Sequence, residues 1–149
     1  FTVSETGEPM QVIQPAASWD LPMVDLQSLP PFEQEAAVQQ LATEEAQRPF
    51  DLAQSPLLRT TLLKLDAETY VLLLNVHHIV ADGWSLGIFV RELALLYEAV
   101  LDGKSSPLPD LPIQYADFAV WQRQWLQKDL EQHLSYGKQQ LAEAPAVLP

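Results

Sequence analysis

The chain has 149 residues, 48% of them hydrophobic and 19% charged, which are the proportions of one ordinary globular domain. With 20 acidic residues against 8 basic ones, its net charge of −12 argues against binding to nucleic acid or to anionic membrane surfaces, because both need clustered lysine and arginine. Cysteine is absent, which excludes disulfides and a thiol nucleophile, and no segment resembles a transmembrane helix or a signal peptide, so we expect a cytoplasmic protein.

The N-terminal part of the chain predicts short extended elements. Residues 1–14 alternate in polarity around a turn at Thr6–Pro9, which predicts short strands, with Met10–Gln14 as the better one. The stretch Pro15–Pro31 contains four prolines and is predicted to be an extended connection. Within it, Leu21–Leu26 forms either an edge strand, where proline is tolerated, or part of a surface loop.

A helix and a hairpin are predicted next. The helix covers Pro31–Arg48, because proline suits a first helical turn and Pro49 cannot continue the helix. The charged residues near its end, including Glu45, are expected to face solvent. Two apolar segments, Leu57–Leu65 and Tyr70–His78, are joined by a short turn and therefore predict an antiparallel hairpin.

Two further helices complete the predicted elements. Apolar residues recur at helical spacing over Leu86–Leu101, with Ser85 as a suitable N-cap, and the apolar stripe that includes Val100 is expected to be core. A third helical pattern runs over Tyr115–Ala144 and carries an aromatic face that we expect to pack. Gly137 is expected to kink or fray this helix, because glycine is unfavourable inside helices.

The stretch around which the chain is organised is VLLLNVHHIVADGWS, Val71–Ser85. Its short apolar run predicts a buried strand that ends in His77 and His78. Because neighbouring side chains of a strand point to opposite faces, one histidine should face a reaction and the other should pack. Asp82 and Gly83 then lead into a helix whose N-terminal N–H groups favour developing negative charge. A base would thus stand beside donors that can stabilise an oxyanion.

Other interpretations of these residues remain. The histidines could be satisfied core residues. A metal site is disfavoured, because adjacent strand histidines diverge and the remaining histidine, His133, is distant in the chain. Asp82 is more readily structural than catalytic. Arg59 stands in an apolar strand, where a buried guanidinium needs compensation, and it either pairs with Asp82 or reaches solvent at a strand edge.

The segment HHIVADG matches the HHxxxDG signature of the condensation domains of non-ribosomal peptide synthetases, within the chloramphenicol-acetyltransferase-like superfamily. The resemblance covers essentially the whole chain. Further segments resemble these domains in the same order: GEPMQVI (Gly7–Ile13), RPFDLAQSPLLRTTLLKL (Arg48–Leu65), GWSLGIFVRELALLYEAVLDGK (Gly83–Lys104) and LPDLPIQYADFAVWQRQWL (Leu108–Leu126).

The resemblance implies an α/β fold of the chloramphenicol-acetyltransferase-like kind, an α+β sandwich with a mixed, mostly antiparallel sheet packed against helices. Condensation domains consist of two similar lobes, and residues 1–149 resemble most of the N-terminal lobe only. We therefore expect a partial domain whose C-terminal lobe is absent. The site of this superfamily lies between the lobes, so the isolated chain is expected to be inactive.

The resemblance also implies a reaction and its partners. The reaction is amide-bond formation between a donor aminoacyl or peptidyl thioester and the amine of an acceptor aminoacyl thioester. Both are presented on 4′-phosphopantetheine arms by upstream and downstream peptidyl carrier proteins, with an adenylation domain in the same assembly line. No cofactor and no metal is expected to bind the chain directly.

Residue roles carry over from the signature. His78 is expected to be the general base, or the group that positions the amine and stabilises the charged intermediate. Gly83 is expected to direct its backbone N–H at the developing charge, and His77 and Asp82 to be structural members of the catalytic motif. The resemblance implies that an arginine holds Asp82, and this is either Arg59 or a residue of the missing lobe. We expect the substrate to bind near two further residues, Trp84 and Ser85.

Related activities are the alternatives. Epimerisation domains share the histidine motif but usually carry an aromatic residue directly after the serine, where this chain has Leu86. Heterocyclisation domains replace the histidines with aspartates, which argues against them. A stand-alone acyl-CoA-dependent acyltransferase of the same superfamily is the more serious alternative. A degenerate docking lobe without activity is disfavoured by the intact signature.

Overall fold

A computed structural model describes residues 1–15 and 18–142 of the chain. The chain divides into two compact units, Phe1–Pro109 and Asp110–Pro149. In its described residues the first unit contains five strands and two helices, and the second contains one helix. The predicted combination of a sheet with helices is confirmed, and the first unit carries the whole histidine motif.

The N-terminal hairpin is shorter than predicted. Strands β1 (Thr2–Val3) and β2 (Pro9–Met10) pair antiparallel, with Thr2 opposite Met10. The turn between them contains Gly7 at a φ of 85°, a left-handed conformation that glycine adopts without steric cost. The predicted turn is confirmed, whereas the predicted strand over Met10–Gln14 is wrong because the pairing ends at Met10.

The larger sheet has three strands in the order β3-β4-β5. Strand β3 (Met23–Asp25) runs parallel to β4 (Leu58–Lys64), which pairs antiparallel with β5 (Tyr70–Val76). The predicted hairpin is confirmed, and of the two alternatives for Leu21–Leu26 the edge strand is the one that forms. The sheet is mixed. The expectation that the strand before the histidines is buried is wrong, because β5 lies at an edge of this sheet and none of its residues is fully buried. Outside the edge strand, the Trp19 indole N–H donates to the Thr60 hydroxyl at 2.8 Å and ties the proline-rich connection to β4.

Helix α1 (Pro31–Gln47) is anchored to this sheet at both of its ends. At its N-terminal end, the Gln34 side-chain amide donates to the carbonyls of Leu26 and Leu65 at 3.1 and 2.8 Å. Leu26 and Leu63 are buried, the latter with no exposed surface. The helix therefore begins against the ends of β3 and β4.

Arg59 of strand β4 closes the C-terminal end of α1. Its Nη2 donates to the carbonyls of Glu45 and Arg48 at 3.2 and 2.7 Å, and its Nη1 to the carbonyl of Pro49 at 3.2 Å. Its Nε also binds the Glu45 carboxylate. The last carbonyls of a helix lack partners within the helix, so a cation at this end both satisfies them and complements the helix dipole.

These contacts correct two sequence predictions. Arg59 does not pair with Asp82 and does not reach solvent at a strand edge, since its side chain is 15% exposed. The sequence predicts Glu45 in solvent, but its side chain is 17% exposed and its carbonyl also accepts a bond from the Asn75 amide at 2.8 Å. The end of α1 supplies Arg59 with both a carboxylate and carbonyls, which compensates the guanidinium more fully than one aspartate would.

Helix α2 (Gly83–Leu101) begins earlier than predicted, with Asp82 and not Ser85 as its N-cap. Its less exposed positions recur at helical spacing and comprise Ser85, Phe89, Glu92, Leu96 and Ala99. Val100 lies off this face and is 73% exposed, so its predicted core position is wrong. No helix in the described part of the chain has the combination of length and apolar character that crossing a membrane requires.

Helix α3 (Tyr115–Gln140) forms the second unit. Gln114 and Asp117 form a capping box at its start, with the Gln114 backbone N–H donating to the Asp117 carboxylate at 2.8 Å. The predicted aromatic face is a ladder in which neighbouring rings lie 5.6–6.0 Å apart, through Tyr115, Phe118, Trp121 and Trp125. These rings contact one another and remain partly exposed. The helix continues through Gly137, where the sequence predicts a kink or fraying, and ends at Gln140, while the predicted end at Ala144 lies outside the described residues.

Replacing Arg59 with methionine tests the closure of α1. The substitution keeps the aliphatic stem but removes the side-chain donor from the carbonyls of Arg48 and Pro49 and one of the partners of the Glu45 carbonyl and carboxylate. We expect the free energy of local unfolding at the end of α1 to fall by about 2–3 kcal/mol. Hydrogen exchange measured by mass spectrometry on peptides from α1 and β5 would report it.

Arg48→Met is the matched control, because Arg48 also pairs with Glu45, at 3.5 Å, but its side chain is 60% exposed. Exposed pairs contribute little, and we expect a change below about 0.5 kcal/mol. Equal effects of the two substitutions would contradict the special role of Arg59.

Candidate functional site

The candidate site is the turn between β5 and α2, and His77 is its most constrained residue. The His77 backbone N–H donates to the Leu57 carbonyl at 3.0 Å, and its own carbonyl accepts from the N–H of Val80 at 3.1 Å. The Nδ1 of its imidazole accepts the N–H of Ile79 at 3.0 Å. An imidazole nitrogen that accepts a hydrogen bond carries no proton, so the neutral ring here has its hydrogen on Nε2.

Phe50 contacts both this histidine and Arg59, the arginine that binds the C-terminal end of α1. The rings of Phe50 and His77 meet edge to face, with centroids 5.7 Å apart at an angle of 86°. The guanidinium carbon of Arg59 lies 3.7 Å from the centroid of the same phenyl ring. Phe50 thus contacts a fixed cation and a fixed imidazole, and all three side chains are half-buried.

His78 differs from its neighbour in exposure. Strand β5 ends at Val76, so both histidines lie in the turn and strand alternation cannot be what separates them. His77 is nevertheless half-buried and His78 is exposed. The structure therefore places one imidazole in a packed position and leaves the other accessible from outside.

Asp82 caps helix α2 and is held by Ser85. One Asp82 carboxylate oxygen accepts the Ser85 hydroxyl at 2.7 Å and the Ser85 backbone N–H at 2.8 Å. Hydrogen bonds from the Ser85 side chain and then from its backbone lower the pKa of Asp82, and the positive charge of a protonated His78 lowers it further. Asp82 is thus an ionised cap whose charge interacts with His78, and the Ser85 hydroxyl donates its hydrogen to it.

The N-terminus of α2 leaves two donors open. Among the residues that the structure describes, no acceptor binds the backbone N–H of Gly83 or of Trp84, whereas Leu86 already donates to the Asp82 carbonyl at 3.0 Å. Gly83 has no positive φ, so its backbone conformation does not require glycine. A Cβ at Gly83 would meet no atom within 4 Å. The space beside the Cα of Gly83 is therefore open.

The rest of the site is accessible and contains no metal cluster. Trp84 is 82% exposed at the first turn of α2. Two cavities, of about 400 and 700 Å³, lie elsewhere in the first unit, and His77, His78 and Asp82 line neither of them. In the described residues no group of three or more histidine, aspartate or glutamate side chains is placed to hold a metal ion.

Three residues of this network are absent from the sequence-based site, namely Glu45, Phe50 and Asn75. The sequence pattern favours a solvated charge at Glu45 and a simple loop position for Phe50. An arginine in an apolar strand requires acceptors, and the segment that ends a helix shortly before it is a source of them. That signal points to the end of α1, and it could have replaced the predicted pairing of Arg59 with Asp82.

Comparison with known proteins gives a consistent result. The family model described as "Condensation domain" matches residues 1–149. The chain is 52% identical over 143 residues to one of the subunits of linear gramicidin synthase from Brevibacillus parabrevis, a match that covers 95% of this chain and 2% of that protein. It is 46% identical over 143 residues to a chondramide synthase from Chondromyces crocatus, over 95% of this chain and 4% of that protein.

Two solved structures extend the likeness to the fold. The first condensation domain of the calcium-dependent antibiotic synthetase matches with a TM-score of 0.79 at 23% identity, over 97% of this chain and 34% of that one. The EpoB NRPS cyclization-docking bidomain from Sorangium cellulosum matches with a TM-score of 0.80 at 27% identity, over 99% of this chain and 29% of that one. The chain therefore spans a small part of each relative's length. Its fold is that of the chloramphenicol-acetyltransferase-like superfamily, and the chain belongs to the condensation-domain family.

Proposed function

We propose that this chain takes part in amide-bond formation between two carrier-bound thioesters in non-ribosomal peptide synthesis. Two observations carry the proposal: His78 is exposed in the turn that leads into α2, and among the described residues the N–H groups of Gly83 and Trp84 at the start of α2 have no acceptor. Family membership supports it, because the relatives that match are peptide synthetases. A base next to donors for negative charge suits acyl transfer to an amine.

In the proposed reaction the acceptor amine attacks the carbonyl carbon of the donor thioester. His78 takes the proton from the attacking amine, or positions the amine and stabilises the charged intermediate. The carbonyl oxygen becomes negative as the tetrahedral intermediate forms, and the N–H of Gly83 donates to it. When the intermediate collapses, the carbon–sulfur bond breaks and the phosphopantetheine thiol leaves.

The other motif residues hold this arrangement in place. His77 fixes the turn through its hydrogen bonds to Leu57, Ile79 and Val80. Asp82 fixes the start of α2 through Ser85. The exposed indole of Trp84 is proposed to contact the substrate or its tether. Ser85 is proposed to support the substrate site through Asp82.

The proposal includes partners that complete the site. We infer that residues 1–149 form most of an N-terminal lobe and that a second lobe encloses the substrates, because the chain covers 34% of the solved condensation domain that it matches. The chain alone would then be inactive. Upstream and downstream peptidyl carrier proteins deliver the 4′-phosphopantetheine arms and an adenylation domain loads them, in the cytoplasm. With a net charge of −12, the chain would dock an acidic carrier only on a local basic or apolar patch.

Cyclization is a second candidate, favoured by the likeness to the EpoB cyclization-docking bidomain. The residues of the motif argue against it, since this chain keeps His77 and His78 where heterocyclisation domains carry aspartates. The two candidates differ in product, because cyclization of a cysteine or serine acceptor removes one water molecule more than amide formation does. Mass spectrometry of the carrier-bound product would separate them.

His78→Ala in the full-length protein tests the proposed role of the imidazole. We expect amide formation to fall by about 10²–10⁴-fold, the range for loss of a general base, with hydrogen exchange of the β4–β5 hairpin unchanged. Single-turnover assays with loaded carrier proteins would measure it. His133→Ala is the matched control, since His133 is exposed on α3 and should be neutral. Near-normal turnover in His78→Ala would refute the mechanism.

Gly83→Ala tests whether the open space at the helix start is used by substrate. Both Gly83 and Gly87 lie in α2 with room for a methyl group, so alanine at either position should leave the helix intact or stabilise it by up to about 1 kcal/mol. Only Gly83→Ala places a methyl group beside the N–H groups assigned to the oxyanion. We expect it to lower the turnover number by about tenfold or more, with Gly87→Ala at the wild-type rate. Equal rates would remove the oxyanion role of Gly83.

A further inference from the structure

We propose that Phe50 is a positioning residue for His78 and acts through His77. The inference rests on the proposed function for its kinetic consequence, although its structural consequence can be measured without any activity. Phe50 lies outside the HHxxxDG segment, in the loop between α1 and β4, and is a half-buried ring in contact with the imidazole of His77.

Phe50 is itself held in place. The Arg59 guanidinium lies over its ring at 3.7 Å from the centroid, a distance at which the cation is attracted to the negative face of the ring. The guanidinium of Arg59 is fixed by its own partners. These are the carboxylate of Glu45 and the carbonyls of Glu45, Arg48 and Pro49. The phenyl ring therefore rests on a cation that is anchored to the end of a helix.

Phe50 limits the orientations that the His77 ring can adopt. Its ring meets the imidazole at 86°, with centroids 5.7 Å apart, a geometry that aromatic pairs favour. In this orientation His77 Nδ1 accepts the Ile79 N–H at 3.0 Å. A rotated imidazole would lose that bond. Without the Phe50 ring, the imidazole would have room to rotate.

The hydrogen bonds of His77 define the turn that carries His78. Ile79 bonds to the His77 side chain, Val80 to the His77 carbonyl, and His78 lies between the bonded residues. His78 is exposed, and no hydrogen bond of its own side chain orients it in the described structure. Its position therefore depends on its backbone, and the backbone depends on His77. Catalytic groups are sensitive to displacements of about 1 Å, which can cost about 100-fold in rate.

The test compares Phe50→Leu with Phe50→Tyr in the full-length protein. Leucine removes the ring, whereas tyrosine keeps it and adds only a hydroxyl. We expect Phe50→Leu to lower the turnover number by about 10- to 100-fold with the KM for the loaded carriers unchanged, and Phe50→Tyr to restore most of the rate. Phe32→Leu is the matched control and should be neutral, because Phe32 is 84% exposed.

A second measurement reports on His77 without activity. Diethyl pyrocarbonate modifies accessible, unprotonated imidazole nitrogens, and tandem mass spectrometry distinguishes modification at His77 from modification at His78. In the wild-type protein His77 should react slowly, because its Nδ1 is hydrogen-bonded and its ring is packed. We expect Phe50→Leu to speed the modification of His77 several-fold, with Phe50→Tyr and Phe32→Leu at the wild-type rate.

The outcomes separate this inference from the function on which it rests. An unchanged turnover number in Phe50→Leu would overturn the positioning role, and so would equal losses in the leucine and tyrosine variants or a loss confined to KM. If the wild-type protein forms no amide, the proposed function fails and the labelling decides alone. Faster labelling of His77 only in the leucine variant would then support the contact as the orienting one, and unchanged labelling would refute it.

Discussion

The guanidinium of Arg59 needs acceptors and a counter-charge, and the last turn of α1 needs hydrogen-bond donors. Each group supplies what the other needs. A helix ends with carbonyls that have no partner, and an arginine within an apolar strand carries a charge that needs compensation. In this chain the carbonyls of Glu45, Arg48 and Pro49 accept from that arginine, and the carboxylate of Glu45 balances its charge. The contact joins α1 to β4 at fixed geometry, and the loop that follows the helix must start from there.

The histidine motif is consequently held from two sides by different means. His77 is held on the side of β4. Its backbone N–H donates to the Leu57 carbonyl, and its ring contacts Phe50, which in turn contacts Arg59. Asp82 is held on the side of α2, because its carboxylate accepts hydrogen bonds from Ser85. Arg59 pairs with Glu45 and not with Asp82, so two separate anchors hold the motif within the described residues. Between them, His78 and the open start of α2 are left accessible, as the proposed reaction requires.

The sequence predicted the elements that depend on local pattern. Prolines bracket α1, and a short polar turn between two apolar runs fixes the β4–β5 hairpin. It failed where the choice depends on tertiary contacts. Asp82 and Ser85 are both good N-caps, and composition alone cannot tell which of them starts the helix. The acceptors of Arg59 are mostly backbone carbonyls, which every residue carries, so no residue type in the sequence marks them.

The small core explains why directional contacts matter so much for this site. In the described residues the buried hydrophobic side chains are Leu26, Leu63 and Ala99, and the apolar residues of the motif, Ile79 and Val80, are over 40% exposed. Hydrophobic packing is non-directional, and so little of it cannot fix the orientation of a turn. Hydrogen bonds and ring contacts have preferred geometries and can do so. Within this chain, the directional contacts at the proposed site are those of His77, Phe50 and Asp82.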